Sequence, residues 1–314
     1  MSSVKVRLAA GSLVAALVAV VAGVFIWHAL ASSCLAVPDD GLIQAPGRYC
    51  LKDDLETDRG IGIEIVSSDV YLDLDGHTVA SRGAAVPSFG VLLRETGISN
   101  IAVTNGIIRD FVIGVHVLGA RNFRIRGLRV IHAGSIGINL LAEDARVSST
   151  SVSDVEGTPV RANYAYSVGI NLGGANIVVE DVAVEEVYRQ DLDSKVGGEG
   201  IGILISAGCN VCSVLRSSIQ NSRASRKTIG LWLASQSRAL TAENRVTSFE
   251  RGLLSFSPDV VMWQNEIVCG DSFEESIGIA HPDIGDGNRD LTIRHDNSVL
   301  DCTNPFRQGG GRPN

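Results

Sequence analysis

The sequence predicts an all-β chain folded as a parallel β-solenoid, on two recurring phrases and the spacing between them. The first phrase is a glycine followed by alternating apolar residues: GIEI at Gly62, GVLL at Gly90, GVHV at Gly114, GINL at Gly137, GINL at Gly169, GILI at Gly202, GLWL at Gly230, GLLS at Gly252 and GIAH at Gly278. Copies stand 22 to 33 residues apart, the period of an array of stacked units. The second phrase is an apolar run broken by a small or amide residue and resumed, as in IAVTNGII around Asn105, FRIRGLRV around Gly127, IVVEDVAV around Asp181, LTAENRV around Asn244 and VMWQNEIV around Asn265. Each interval reads as three short strands of period two, separated by a tight bend and one loop of variable length.

One such interval is one rung. Stacking places equivalent residues of neighbouring rungs about 4.8 Å apart, so the inward Val, Ile and Leu form a core that no rung could bury alone. At the bend, Asn105, Asn244 and Asn265 are expected to stack as an amide ladder, because asparagine tolerates left-handed backbone angles. The glycine before each first strand suits a tight turn out of the loop.

The elements follow in chain order. Residues 1–7 carry Lys5 and Arg7 and read as a cytoplasmic stub. Residues 8–31 are uncharged and apolar, either a signal peptide cut after Ala31 or a retained membrane anchor with Trp27 near the interface; lipid attachment at Cys34 is a third option. Residues 34–59 read as an N-terminal cap, residues 60–302 as the solenoid of about nine rungs, and residues 303–314 as a flexible tail. The bulk of the chain is expected to be extracytoplasmic, and its six cysteines then read as disulfides. Cys34 and Cys50 flank the cap segment, Cys209 and Cys212 form a CxxC without a second CxxC or a histidine pair to complete a metal site, and Cys269 and Cys302 close the third strands of the last two rungs. The net charge of −8, with basic residues scattered along the chain, argues against a nucleic-acid partner. Any membrane contact is expected through the N-terminal segment alone.

The stretches PGRYCLKDDL, DVYLDLDGHTV, NIAVTNGIIRDF and GVHVLGARNFRIRGLRV resemble the right-handed parallel β-helix superfamily. That superfamily includes pectate lyases, alginate epimerases and lyases, and carbohydrate-binding and sugar-hydrolysis repeat proteins. The resemblance covers roughly residues 34 to 302 and implies a right-handed coil with three sheets. It also implies a substrate groove on the sheet that carries the GIxL strands, walled by the loops that precede them. The chain lacks the Asp-Pro-His-Glu of alginate epimerases, the paired aspartates of polygalacturonases and the Arg-x-Pro-x-x-Arg of pectate lyases. The resemblance therefore implies a fold and a groove, without a particular reaction.

In a strand read as Gly-in-out-in, the third residue faces outward, giving a row of Glu64, Leu92, His116, Asn139, Asn171, Leu204, Trp232, Leu254 and Ala280. Its centre is polar. The longest loops precede the strands at Gly169 and Gly202 and bring Arg161, Tyr164, Tyr166, Tyr188 and Arg189 toward that centre, while shorter loops add Arg109 and His132. The set suits β-elimination or C5-epimerisation of a uronate, with His116 as base and Tyr164 or Tyr166 as acid. Asn139, Asn171 and Arg161 would neutralise the sugar carboxylate, Arg109, His132 and Arg189 would bind substrate, and Trp232 would either stack on a sugar or lie under a loop. Asp73 and Asp75 alternate in LDLDGHTV and read as structural, with His77. No cofactor is required; Asp283, Asp286, Asn288 and Asp290 have an oxygen-rich spacing that suits calcium or a plain polar loop. The expected partner is an extracellular polysaccharide, with the chain acting as a polyuronate lyase or C5-epimerase or, without chemistry, as a carbohydrate-binding or cell-surface assembly protein; a structural spacer with no groove is a third reading.

Overall fold

The computed structural model describes residues 34–83, 87–157, 159–161, 164–165, 167–188, 199–222, 227–257, 259–270, 273, 275–281 and 296–308. The chain divides into Met1–Leu35 and Ala36–Asn314, and the coil lies in the second unit. Residues 8–31 lie outside the described residues, among which no helix is long and apolar enough to cross a membrane.

The chain is a parallel β-helix. Successive rungs pair strand on strand in parallel register, and the outward row runs unbroken from Leu42 through Glu64, Leu92, His116, Asn139, Asn171, Leu204, Trp232, Leu254 and Ala280 to Arg307. A second sheet stacks Leu72, Val103, Ile125, Val147, Val179 and Val214 inward. A third stacks Val79, Ile108, Val130, Val152, Val184, Ile219, Val246, Ile267 and Val299. These inward rows are buried and, apart from Val299, which is partly exposed, belong to one continuous core.

The repeated glycines have a different reason from the turn expected of them. Each is buried, and a Cβ on it would meet the β-branched residue of the third strand in its own rung: Val79 at 2.5 Å from Gly62, Ile108 at 2.2 Å from Gly90, Val184 at 2.4 Å from Gly169 and Ile219 at 2.4 Å from Gly202. The carbonyl of the next glycine stands as close, 2.5 to 2.8 Å from Gly62 through Gly252. Close approach of the third strand to the first therefore selects glycine, and no left-handed backbone angle is involved.

Left-handed residues instead form columns at the corners. Asp69, Asn100, Asn122, Asp144 and Asn176 all have φ between 49° and 60°. Within that column Asn100 donates to Asp69 at 2.7 Å, Asn122 to Asn100 at 2.8 Å and Asn176 to Asp144 at 3.0 Å. At the bend between second and third sheets, Asn244 donates to Asn265 at 2.9 Å and Asn265 to Asn297 at 3.0 Å, a buried amide ladder. Asn105 is not in it. With φ of 56° it occupies the outward position one residue earlier in its bend, where it faces Asp73, and Gly106 takes the inward place.

Both ends differ from expectation. The segment expected as a cap winds as a coil: Leu42–Ile43, Gly47–Cys50 and Leu55–Thr57 pair in register with Ile61–Ile65, Val70–Asp73 and Thr78–Ser81. At the other end Asn304–Gln308, expected as tail, is a parallel strand on Ile277–His281, and the Asn304 amide donates to the Ser276 carbonyl at 2.8 Å. Pairing satisfies backbone groups that an open sheet edge would leave bare. Cys209–Cys212 and Cys269–Cys302 are bridged, and no cysteine is free, Cys34 and Cys50 included. The strand alternation also ends at Asp73, whose carboxylate accepts from the Asp75 amide at 3.1 Å, so the two aspartates do not form a pair on one face.

Replacing Gly202 by Ala forces a Cβ to 2.4 Å from Ile219 and 2.6 Å from the Gly230 carbonyl. The expected loss is about 1–3 kcal/mol or more, the cost of overpacking a dense core, read as a lower midpoint in denaturant at unchanged m.

Candidate functional site: a donor ladder on the first sheet

The polar centre of the outward row is hydrogen-bonded along the coil axis. Ser206 Oγ donates to Asn171 Oδ1 at 2.6 Å, Asn171 Nδ2 donates to Asn139 Oδ1 at 2.7 Å, and Asn139 Nδ2 donates to His116 Nδ1 at 2.9 Å. Every donor in the chain points toward His116. Asn139 is buried, while His116 and Asn171 are half-buried, and the His116 ring packs against Phe89 with centroids 5.3 Å apart.

Burial pushes the His116 pKa below the ordinary histidine value. The ring is therefore neutral at pH 7, and with Nδ1 accepting from Asn139 its proton resides on Nε2. In this tautomer Nε2–H is a hydrogen-bond donor. The base expected from the sequence needs a free acceptor nitrogen, and with Nδ1 occupied by Asn139 the His116 ring in this tautomer offers none. Beside it, each amide has a second hydrogen beyond the one used in the ladder.

Arg109 and His132 belong to a separate network at the corner between third and first sheets. His132, left-handed at φ 56°, places Nδ1 2.8 Å from Asp110 and Nε2 3.0 Å from Glu156, and Arg109 pairs with Asp110. The Tyr188 hydroxyl lies 2.9 Å from Asp154 and 3.3 Å from Glu156. The hydrogen bond to Asp110, aided by Glu156, raises the His132 pKa. His132, Asp154 and Glu156 bring possible ligand atoms within 4.8 Å of one another, and a metal there would have to displace the ring proton that the carboxylates favour.

Trp232 lies outward next to Leu204 in the row, but it packs among Val168, Ile201, Leu204, Ile229 and Phe256, with the Phe256 ring at 6.1 Å. The downstream half of the row is thus an apolar cluster. Arg161 pairs with Tyr164 in the backbone register of two short antiparallel strands, Pro159–Arg161 and Tyr164–Ala165, before the Ser167–Glu180 strand. Tyr166, Arg189 and the calcium candidates Asp283, Asp286, Asn288 and Asp290 lie outside the described residues. Sequence reasoning passed over Ser206, the next outward position after Leu204, and also Glu199, which directly precedes the Gly200–Ile205 strand and whose pKa is pushed up by burial.

No family model and no curated protein matches the chain. Among solved structures it is similar to an alginate lyase from Paenibacillus sp. str. FPU-7, at 12% identity and a TM-score of 0.40, over 82% of this chain and 98% of that one. It is also similar to the Dettilon tailspike protein, at 12% identity and a TM-score of 0.43, over 82% of this chain and 59% of that one. A third is the A-module of the Azotobacter vinelandii mannuronan C-5 epimerase AlgE4, at 13% identity and a TM-score of 0.34, over 90% and 92%. These likenesses concern the fold alone.

The two histidines should titrate in opposite directions from the ordinary value of about 6.5. His132 gains from its carboxylates, so its contribution to stability is complete below that value and is lost as pH rises through its raised folded pKa. His116 favours folding above it, and that contribution is lost as pH falls through its lowered folded pKa. Histidine ring resonances followed from pH 5 to 9, assigned with His116→Gln and His132→Gln, should give a low midpoint for the first and a high one for the second.

Proposed function

We propose that the protein is exported and acts on an acidic polysaccharide along the outer face of the first sheet, as a polyuronate lyase or C5-epimerase. The observation that carries the reading is the directed ladder from Ser206 to His116, a file of neutral donors on the first sheet. Removing the C5 proton of a uronate builds charge on the carboxylate, and preorganised donors stabilise that charge more than they stabilise the ground state. His116 Nε2–H and the spare amide hydrogens of Asn139 and Asn171 suit that task without the cost of burying a charge. Proton transfer then falls to Tyr164 or Tyr166, which precede the Ser167 strand in the sequence, and Arg161 supplies positive charge.

Export accords with a chain that keeps no free cysteine, a state maintained in oxidising compartments. A second reading is carbohydrate binding without chemistry. It is favoured by the ladder's own bonding, since His116 Nδ1 is already occupied and leaves the ring no free basic nitrogen.

The test is proton NMR of polyuronates and neutral glycans incubated with residues 32–314, with His116→Ala alongside. The reading predicts new olefinic signals for a lyase, or altered anomeric ratios without cleavage for an epimerase, reduced about 10²-fold or more in the variant. An unchanged spectrum for every polymer, with binding retained, selects the second reading. Turnover that survives His116→Ala contradicts the site.

A further inference from the structure

The phrase FRIRGLRV does more than build a rung. Its apolar residues Phe123, Ile125, Leu128 and Val130 are buried, and Arg124, Arg126 and Arg129 are exposed between them. Elsewhere the described arginines mostly reach a carboxylate: Arg82 with Glu56, Arg94 with Glu64, Arg121 with Glu143, Arg146 with Glu180, Arg216 with Asp181 and Arg245 with Glu266. Arg124, Arg126 and Arg129 have no ion-pair partner among the described residues.

The register explains why. Arg124 lies between Ala102 and Arg146 of the flanking rungs, Arg126 between Thr104 and Ser148, and Arg129 between Ile107 and Ser151. No acidic side chain stands opposite any of them. In a chain of net charge −8, three unpaired guanidinium groups on one rung form a local cationic strip. A shallow concavity of about 610 Å³ opens beside Arg129, and Ser149, Thr150, Ser151 and Ser218 line it together with the Asp181–Arg216 ion pair and apolar side chains of the same rungs.

We infer that this strip, on the outer faces of the second and third sheets, is a second binding site that holds an acidic polysaccharide away from the first-sheet groove. The ligand class rests on the reading above, whereas the site does not share its residues. Guanidinium forks pair bidentately with carboxylate or sulfate, and residues two apart on a strand repeat about every 6.6 Å, so Arg124 and Arg126 grip successive acidic groups of one polymer. The surroundings select the partner. Hydroxyl side chains flank Arg129 and match sugar hydroxyls, and at the other end of the strip the partly exposed Tyr71 lines a shallow hollow beside Arg124, an aromatic face on which a sugar ring can stack.

Affinity electrophoresis of the full chain in gels containing polygalacturonate, with dextran gels and phosphatidylglycerol vesicles as other arms, tests the site. The Arg124→Gln/Arg126→Gln/Arg129→Gln variant should fold normally by circular dichroism and bind polygalacturonate about tenfold more weakly or worse, the loss of several charge-assisted contacts. Arg121→Gln, whose parent is already paired with Glu143, should bind within about twofold of wild type. Adding His116→Ala to the triple variant should weaken retardation further and independently of the arginines, which separates the strip from the groove. The inference is overturned if wild type is not retarded, if the triple variant is retarded like wild type, or if the arginines serve vesicles and not the polymer. Each of these outcomes leaves the groove to be judged by its own NMR assay.

Discussion

The structure depends on the contact between a column of glycines and a column of β-branched residues. From Gly62 with Val79 to Gly278 with Val299, the third strand of each rung lies so close to the first that even a methyl group is excluded. That contact sets the register. A shift by one residue would bring a side chain into the glycine's place and turn the outward row inward. It also confines variation: the β-branched partner follows its glycine by 15 to 21 residues, whereas the distance from partner to next glycine runs from 6 to 18. Length changes most in the loop that leads into the first sheet.

The pattern on the outer face follows from that confinement. A fixed register stacks unlike side chains at the strand spacing, so a row can be apolar over several rungs and polar over the next few without disturbing the core. On the first sheet the polar rungs join into one directed file from Ser206 to His116, while Val168, Ile201, Leu204, Ile229 and Phe256 form an apolar cluster on the same face. Burial keeps His116 neutral, and the neighbouring amide fixes which nitrogen bears the proton. Two environments thus push two histidines in opposite directions, since carboxylates on both sides favour the charged form of His132 at the corner.

Much of this was legible in the residues, and the failures have physical causes. Period-two alternation gave the outward row correctly, and His116, Asn139 and Asn171 are adjacent as the spacing required. The glycines were assigned to turns because a sequence shows flexibility more readily than crowding; the matching column of Val and Ile some 15 to 21 residues on was the overlooked signal. Asn105 was grouped with Asn244 and Asn265 although it stands one place earlier in its bend, a distinction that depends on which residue takes the left-handed angle. His116 was cast as a base because its type suggests one, and only a hydrogen-bond partner two dozen residues away fixes its tautomer. Ser206, Asp110 and Glu156 became functional neighbours through stacking of rungs 22 to 35 residues apart, beyond what local pattern conveys.

The claim at the centre of this account is that the ladder amides face an acidic sugar. Side-chain amide resonances of Asn139 and Asn171, assigned by Asn→Asp substitution and followed while a saturated uronate oligosaccharide is added, address it most directly. The account predicts that both pairs of amide protons shift together with the His116 ring and saturate at one ligand concentration. Amide resonances that stay fixed while signals elsewhere on the coil move would place the sugar on another face and contradict the account.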